Sequence, residues 1–341
     1  MVYVFENLIK TTIVCSLAIC LLLFLKRYLF KKFSKRFNYY IWLIIVFRML
    51  LFLFNYTIVY EVKEPKENAV GNNITHIDIS TDNNLMLYVV YLWLFVTIVI
   101  AVYTFIKYTR FKNLVVDVSY DIEDDLNCIY KNLLKELNIK KKIELRGSDE
   151  LISPAGMGLF KSYIFLPDYP YSKDELTWIL KHELMHFKNK DILIKFLMLS
   201  VKIIYWFNPL VYIMSNKVNL DCELCCDESV LTECSLKDKK EYALALIKSI
   251  KLSNNYNSGI LTTEFNKTSL EKRLDSIVKK KGKSGILVLL ILFTLFSVTY
   301  FNFESISFDN PNFLRNMGIL EKSGANLREE YDYNMKIVYP N

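Results

Sequence analysis

Residues 8–36 read LIKTTIVCSLAICLLLFLKRYLFKKFSKR, an apolar run followed at once by a basic cluster. A helix of this length can cross a hydrocarbon core of roughly 30 Å. The run lacks the basic leading region and the small-residue cleavage site of a secretory signal, so it predicts a retained membrane helix over 8–25. Because basic residues beside a span stay in the cytoplasm, the N-terminus is expected outside.

Three more apolar runs extend this pattern to a multi-pass membrane protein. The second, 38–60, contains Arg48, which we interpret as a structural residue that snorkels or pairs with a carboxylate. The third, 85–106, is followed by a basic cluster, and the fourth, 286–303, is preceded by the basic segment 272–283. A topology of four spans with both termini outside the cytoplasm places every basic cluster on the cytoplasmic side.

The predicted organisation has four parts. These are a membrane domain over 1–112, a cytoplasmic domain over 113–283, the fourth span within 284–303 and a short extracytoplasmic tail over 304–341. The chain of 341 residues is 52% hydrophobic with a net charge of +7. We assign the positive charge to topology rather than to nucleic acid, because no basic recognition helix or aromatic-basic motif stands out.

The cytoplasmic segment has the pattern of an α+β domain. It predicts helices over 121–138, from about 173, over 192–214 and over 210–233, strands over 141–148 and 158–167, and a loop over 252–268. Ser172 and Glu175 form a capping-box signature that starts the second helix. Asn208-Pro209 is expected to break the third, which we interpret as buried or grazing the membrane.

His182-Glu183-Leu184-Met185-His186 matches the H-E-x-x-H pattern. On a helix, residues four apart share a face, so both imidazoles can bind one zinc ion while Glu183 reaches the attacking water. The alternative is a helix with two exposed histidines that are four apart by chance. The metal interpretation is favoured because the chain has only three histidines.

A catalytic zinc ion needs a third protein ligand. The remaining histidine, His76, is predicted to lie across the membrane, so the ligand should be a carboxylate or a thiolate. Glu223 and Asp227 are four apart in a predicted helix, so one can bind zinc while the other accepts a hydrogen bond from a ligand histidine. The rival thiolates are expected to be small buried helix residues instead: Cys222, Cys225 and Cys226.

Three further features leave alternatives open. Asp191 is expected to pair with Lys188 or Lys190, rather than to orient the active-site helix. The strand over 158–167 is a core strand, an edge strand that pairs with a peptide substrate, or both. The candidate oxyanion-stabilising residues are Tyr163, Tyr205 and Tyr212.

Five motifs together resemble the BlaR1/MecR1-type integral-membrane zinc peptidases, the M56 peptidase family, over roughly residues 1–303. They are SPAGMGLFKSYIFLP (153–167), ELTWILKHELMHFKNKD (175–191), WFNPL (206–210), DCELCCDESVL (221–231) and SLEKRLDSI (269–277). The resemblance implies a mainly α membrane protein with about four transmembrane helices and a cytoplasmic, gluzincin-like α+β peptidase domain.

The resemblance also implies roles for the site residues. His182, His186 and Glu223 would bind one zinc ion, Glu183 would be the general base, and Asp227 would support the site. Family members cleave themselves or a cytoplasmic winged-helix repressor of the BlaI/MecI type. A self-cleavage loop within 252–283 is therefore an expectation, with an ordinary linker as the favoured alternative.

The chain departs from the family's antibiotic receptors at its end. The tail over 304–341 is too short for their penicillin-binding sensor domain and has no S-x-x-K motif, so covalent sensing of β-lactams is not expected. The alternatives are a membrane-protein turnover peptidase of the Ste24/HtpX kind and a non-catalytic receptor. Membrane lipid is an expected partner, and self-association into a homo-oligomer stays open.

Overall fold

The computed structural model of the protein is mainly helical. It describes residues 2–28, 30–52, 56–62, 83–256, 260–279, 282–285, 288, 301–307 and 336–338. The α-helices in these ranges are α1 (Val2–Tyr28), α2 (Lys35–Leu50), α3 (Asn83–Asp117), α4 (Asp124–Glu136), α5 (Lys173–Lys188), α6 (Asp191–Ile204), α7 (Pro209–Val230), α8 (Leu236–Tyr256) and α9 (Ile260–Val278). Predictions for His76 and for most of the fourth span, 286–303, lie outside the described residues.

The described strands form two three-stranded sheets. They are β1 (Tyr56–Val62), β2 (Ile143–Gly147), β3 (Ala155–Met157), β4 (Ser162–Leu166), β5 (Phe301–Ser307) and β6 (Lys336–Val338). In one sheet β1 lies between β5, which is parallel to it, and β6, which is antiparallel. In the other, β4 lies between the parallel β2 and the antiparallel β3.

Two of the described helices are long and apolar enough to cross a membrane. They cover Val4–Tyr28 and Leu85–Asp117, and they contain the predicted spans 8–25 and 85–106. The predicted span 38–60 is not reproduced as one helix, since α2 ends at Leu50 and β1 begins at Tyr56. The β-branched and aromatic residues of β1 favour a strand over a helix. At 16 residues, α2 is only about 24 Å long.

The N-terminal helices share a core with the helices that follow the H-E-x-x-H motif. Buried apolar residues of α1, α2, α6 and α7 form one continuous cluster. Arg48 of α2 is buried in this part of the protein rather than snorkelling, and it donates from Nη1 to Thr11 Oγ1 over 3.3 Å. Its predicted pairing with a carboxylate stays a prediction. The break between α6 and α7 falls at Asn208, whose side chain accepts from Leu210 N over 3.0 Å with Pro209 at the first helical position.

Helix α7 is fastened to the first two helices by an acidic residue on the face away from the histidines. Asp221 pairs with Lys26 at the end of α1 and accepts from Trp42 Nε1 of α2 over 2.7 Å. About two turns further on, Glu228 accepts backbone N–H groups at the start of α2, from Lys35 and Arg36. The same helix therefore contacts the membrane segment and carries Glu223 and Asp227.

A second core surrounds the helix of the H-E-x-x-H motif. Buried residues of α4, α5, α7, β2 and β4 pack together there, which confirms the helix predicted over 121–138 and both predicted strands. The loop predicted over 252–268 is wrong, because α8 continues to Tyr256 and α9 begins at Ile260. The helix propensities of Asn, Ser and Thr are only modestly unfavourable, so a stretch rich in them can still be helical.

Candidate active site

The helix that carries the H-E-x-x-H motif begins where the sequence predicts. Ser172 Oγ accepts from Glu175 N over 3.2 Å, and Glu175 Oε2 accepts from Ser172 N over 2.7 Å, so the capping box is complete. Both hydrogen bonds satisfy amide groups that a helix N-terminus otherwise leaves without a partner. His182 and His186 then lie one turn apart on the same face, with ring centroids 4.7 Å apart.

The two imidazoles and one carboxylate of α7 converge on a common point. The distances are 3.2 Å between the two histidine Nε2 atoms, 3.3 Å from His182 Nε2 to Glu223 Oε2, and 3.5 Å from His186 Nε2 to Glu223 Oε1. Ligand atoms of a tetrahedral zinc ion with bonds of about 2.0–2.1 Å are separated by about 3.3 Å. The donor set and its spacing therefore fit such an ion.

Asp191 lies behind His186 rather than among the lysines. Its Oδ2 is 2.7 Å from His186 Nδ1, and its Oδ1 accepts from Tyr39 Oη over 3.1 Å. The predicted pairing with Lys188 or Lys190 is wrong, because Asp191 is fully buried. Lys190 adopts a left-handed conformation with φ of 61°, which turns the chain sharply from α5 into α6 and places Asp191 under the ring.

His182 is supported by a tyrosine that the sequence did not reveal. Tyr242 Oη lies 2.8 Å from His182 Nδ1, and it donates a short hydrogen bond to Asp227 Oδ1. Asp227 itself is 3.4 Å from His182 Nδ1, so it acts mainly through Tyr242. Burial and the Asp227 charge hold the pKa of Tyr242 well above its ordinary value, so the phenol keeps its proton.

These contacts fix the orientation of both imidazole rings. Since Tyr242 uses its proton on Asp227, it can only accept from His182 Nδ1, and Asp191 can only accept from His186 Nδ1. Each Nδ1 therefore carries a proton, which leaves each Nε2, on the side of Glu223, as the atom that can bind a metal ion. A carboxylate or phenol behind a ligand histidine is the usual arrangement at a zinc site.

Arg273 of α9 is the second residue that the sequence did not reveal. It donates from Nε and Nη2 to the two oxygens of Asp227 over 2.8 and 2.7 Å, and its Nη1 is 3.1 Å from Glu223 Oε2. Burial works against ionisation of Glu223, but His186 and Arg273 outweigh it and hold the pKa of this carboxyl well below its ordinary value. The only hint was its place within the motif SLEKRLDSI, because nothing in the spacing links Arg273 to Asp227.

An open cleft of about 390 Å³ gives access to these groups. Glu183 is half-buried and lines it beside both histidines and Glu223. Residues 153–156, which lead into and form part of β3, also line it. Among the described residues β3 is an edge strand, whereas β4, from the predicted 158–167 strand, is central and fully buried. The strand predicted over 158–167 is therefore a core strand, and the edge strand beside it is β3.

The three tyrosines suggested as oxyanion stabilisers do not line the cleft. Tyr205 Oη donates to the carbonyl of Met49, Tyr212 Oη donates to that of Trp206, and Tyr163 is stacked on Phe165 in the buried sheet. A cation on α6, Lys195, lines the cleft instead.

Two buried cysteines of α7, Cys222 and Cys226, lie beside the histidines. Cys226 Sγ lies 3.6 Å from His182 Nδ1 and donates to the His182 carbonyl oxygen over 3.4 Å. Cys226 with both histidines, and Cys222 with His186 and Asp191, are close enough to be considered as metal donors. However, the Nδ1 atoms of the histidines already have Tyr242 and Asp191 as partners, which favours the carboxylate set.

The sequence of the chain is similar to those of known regulatory proteins. The family model described as BlaR1 peptidase M56 matches residues 6–277. Similar curated proteins include the regulatory protein BlaR1 of Bacillus licheniformis, 30% identical over 49% of this chain and 30% of that protein. The methicillin resistance mecR1 protein of Staphylococcus aureus is 25% identical over 71% of this chain and 46% of its own length.

The class defined by fold and site is a mainly helical protein with two candidate membrane helices and a His-His-Glu cluster that lines an open cleft. The chain belongs to the BlaR1-type M56 peptidase family. It spans less than half the length of the curated relatives that it matches.

Proposed function

We propose that this protein is a membrane-bound zinc endopeptidase in which His182, His186 and Glu223 bind one catalytic zinc ion. The observation that carries the proposal is the triangle of two Nε2 atoms and one carboxylate, with sides of 3.2 to 3.5 Å. A zinc ion requires donors that converge on one point and are held there by further partners. Here Asp191 holds His186, Tyr242 holds His182 and Arg273 holds Glu223. This matches the gluzincin type of site.

Zinc, when bound, polarises the scissile carbonyl and lowers the pKa of water towards neutrality. Glu183 lines the cleft beside the ligands, so its carboxylate is the base that takes the proton of the attacking water and passes it to the leaving amide nitrogen. Asp191 and Tyr242 keep the imidazoles oriented throughout. Asp227 is proposed to support His182 indirectly, because it accepts the hydrogen bond of Tyr242, which contacts His182.

The substrate is proposed to bind as an extended peptide along β3. The edge of this strand that has no neighbour among the described residues offers backbone N–H and C=O groups to a chain that runs through the cleft, and such pairing is tolerant of side-chain identity. Ala155 lines the cleft with a small side chain, which leaves room for the substrate, and Gly156 has no Cβ, which lets Phe187 pack against this strand. A helical segment cannot pair in this way, and α9 as described is therefore a poor self-cleavage site.

The regulatory names of the relatives support a role in signal transduction. We propose that the peptidase domain is cytoplasmic, that both termini are extracytoplasmic across four spans, and that the substrate is a cytoplasmic regulator such as a winged-helix repressor. The tight attachment of α7 to α1 and α2 gives a membrane signal a short route to Glu223. The presence of Glu183 and all three proposed ligands argues for a catalytic protein rather than a receptor alone.

The full chain, purified in detergent, is expected to carry about one zinc ion and to cleave an unstructured protein such as fluorescently labelled casein. Dialysis against a chelator should remove both the zinc and the cleavage, because Glu183 alone activates water poorly, and added zinc should restore both. Metal analysis by mass spectrometry and the rate of fluorescence release provide the measurement. Cleavage that persists in zinc-free protein would contradict the proposal.

A further inference from the structure

Arg273 is the residue that joins the two acidic groups of α7. Only 8% of the residue is exposed, and it lines the cleft. It forms a two-pronged contact with Asp227, and its third nitrogen lies 3.1 Å from Glu223 Oε2. The carboxylate proposed as zinc ligand and the carboxylate that supports His182 are therefore held by one side chain.

The geometry of this contact requires a guanidinium group. Two parallel N–H donors match the two oxygens of Asp227, and a third donor on the remaining nitrogen points to Glu223. A lysine ammonium could approach either carboxylate but could not hold both in a fixed plane. Burial strengthens the requirement. Asp227 is only 1% exposed, so removal of Arg273 would leave a buried carboxylate without its charged partner.

We propose that Arg273 is a positioning residue of the catalytic centre, which holds Glu223 Oε2 so that Oε1 remains free to bind the metal. This proposal rests on the proposed zinc peptidase function. Glu223 sits between two histidines and an arginine, and without the arginine its carboxylate can rotate away from His182 Nε2, 3.3 Å distant. Asp227 would at the same time be free to turn away from Tyr242, and His182 would lose its fixed orientation.

Arg273 also makes the centre depend on the position of α9. Ten residues after Arg273, the chain is fastened to the connection between α1 and α2. Lys283 N donates to Lys32 O over 2.9 Å, and Ser34 N donates to Lys283 O over 3.0 Å. A displacement of this segment relative to α7 would withdraw Arg273 from both carboxylates. A movement of the segment would therefore release Glu223, the proposed metal ligand, from its fixed orientation.

The test compares Arg273→Ala and Arg273→Lys with the wild type and with Lys272→Ala, which removes a neighbouring exposed cation of α9. We expect both Arg273 variants to bind zinc roughly 10–100-fold more weakly in a chelator competition, as is typical when an outer partner of a ligand is lost. Their kcat should fall while KM changes little, and millimolar guanidinium should partly restore the Arg273→Ala protein. The cobalt-substituted variants should show an altered visible spectrum.

Folding is monitored separately by circular dichroism and thermal unfolding of the zinc-free proteins, and Arg273→Lys keeps the charge if the alanine variant proves unstable. Unchanged zinc affinity and an unchanged cobalt spectrum in folded Arg273→Lys and Arg273→Ala would overturn the role of Arg273, with the peptidase proposal untouched. A wild-type protein that binds no zinc would instead overturn the metal centre itself, and the positioning role with it.

Discussion

Replacement of Glu183 by alanine is expected to leave zinc bound and to lower kcat for peptide cleavage by roughly 10²–10⁴-fold, the usual contribution of a general base. Glu183 lines the cleft but lies outside the proposed ligand triangle, so its loss removes the proton acceptor without opening the metal site. Metal analysis and a cleavage assay on the same preparation measure both quantities. Glu183→Gln keeps the shape of the side chain and should be equally inactive.

The matched control for Glu183 is Asp174→Asn, which removes an exposed carboxylate from the first turn of the same helix. This variant should retain zinc and cleave at the wild-type rate, since Asp174 does not line the cleft. If Glu183→Ala cleaved as fast as the wild type, Glu183 could not be the base. If it lost zinc along with activity, Glu183 would belong to the ligand set.

Replacement of Glu223 by alanine is expected to reduce zinc affinity by more than the 10–100-fold typical of outer partners, because it removes a direct ligand. Asp221→Ala provides the comparison two residues earlier on the same helix. Asp221 contacts Lys26 and Trp42, so its loss should destabilise the docking of α7 by about 1–3 kcal/mol and leave zinc affinity near the wild-type value.

Zinc affinity from chelator competition and stability from thermal unfolding in detergent separate the two effects. The Glu223 variant should lose metal and keep most of the stability of the zinc-free protein. The Asp221 variant should do the reverse. Equal losses of zinc in both variants would contradict the choice of Glu223 as ligand, since Asp221 lies on the face of α7 that contacts α1 and α2.

The parts of the site that could be predicted are those encoded locally. The capping box of Ser172 and Glu175 fixes the start of α5, and the spacing of His182 and His186 then follows from the helical repeat. The break at Asn208-Pro209 likewise depends on neighbouring residues only. Each of these signals is contained within a few residues, so no knowledge of the fold is needed to read it.

The parts that could not be predicted depend on contacts between distant elements. Arg273 and Asp227 are 46 residues apart, and Tyr242 reaches His182 from 60 residues away. Asp191 looked like a surface partner of nearby lysines, and only the turn at Lys190 places it under His186. The edge strand was missed because β3 has only three residues, too few for an alternating pattern.

X-ray absorption at the zinc edge of the full-length protein tests the central claim most directly. With His182, His186 and Glu223 as ligands, the first shell should contain only nitrogen and oxygen at about 2.0–2.1 Å, with the outer scattering of two imidazoles. The buried thiol of Cys226, 3.6 Å from His182 Nδ1, is the alternative donor within the described site. A sulfur shell at about 2.3 Å, absent after Cys226→Ser, would contradict the carboxylate site.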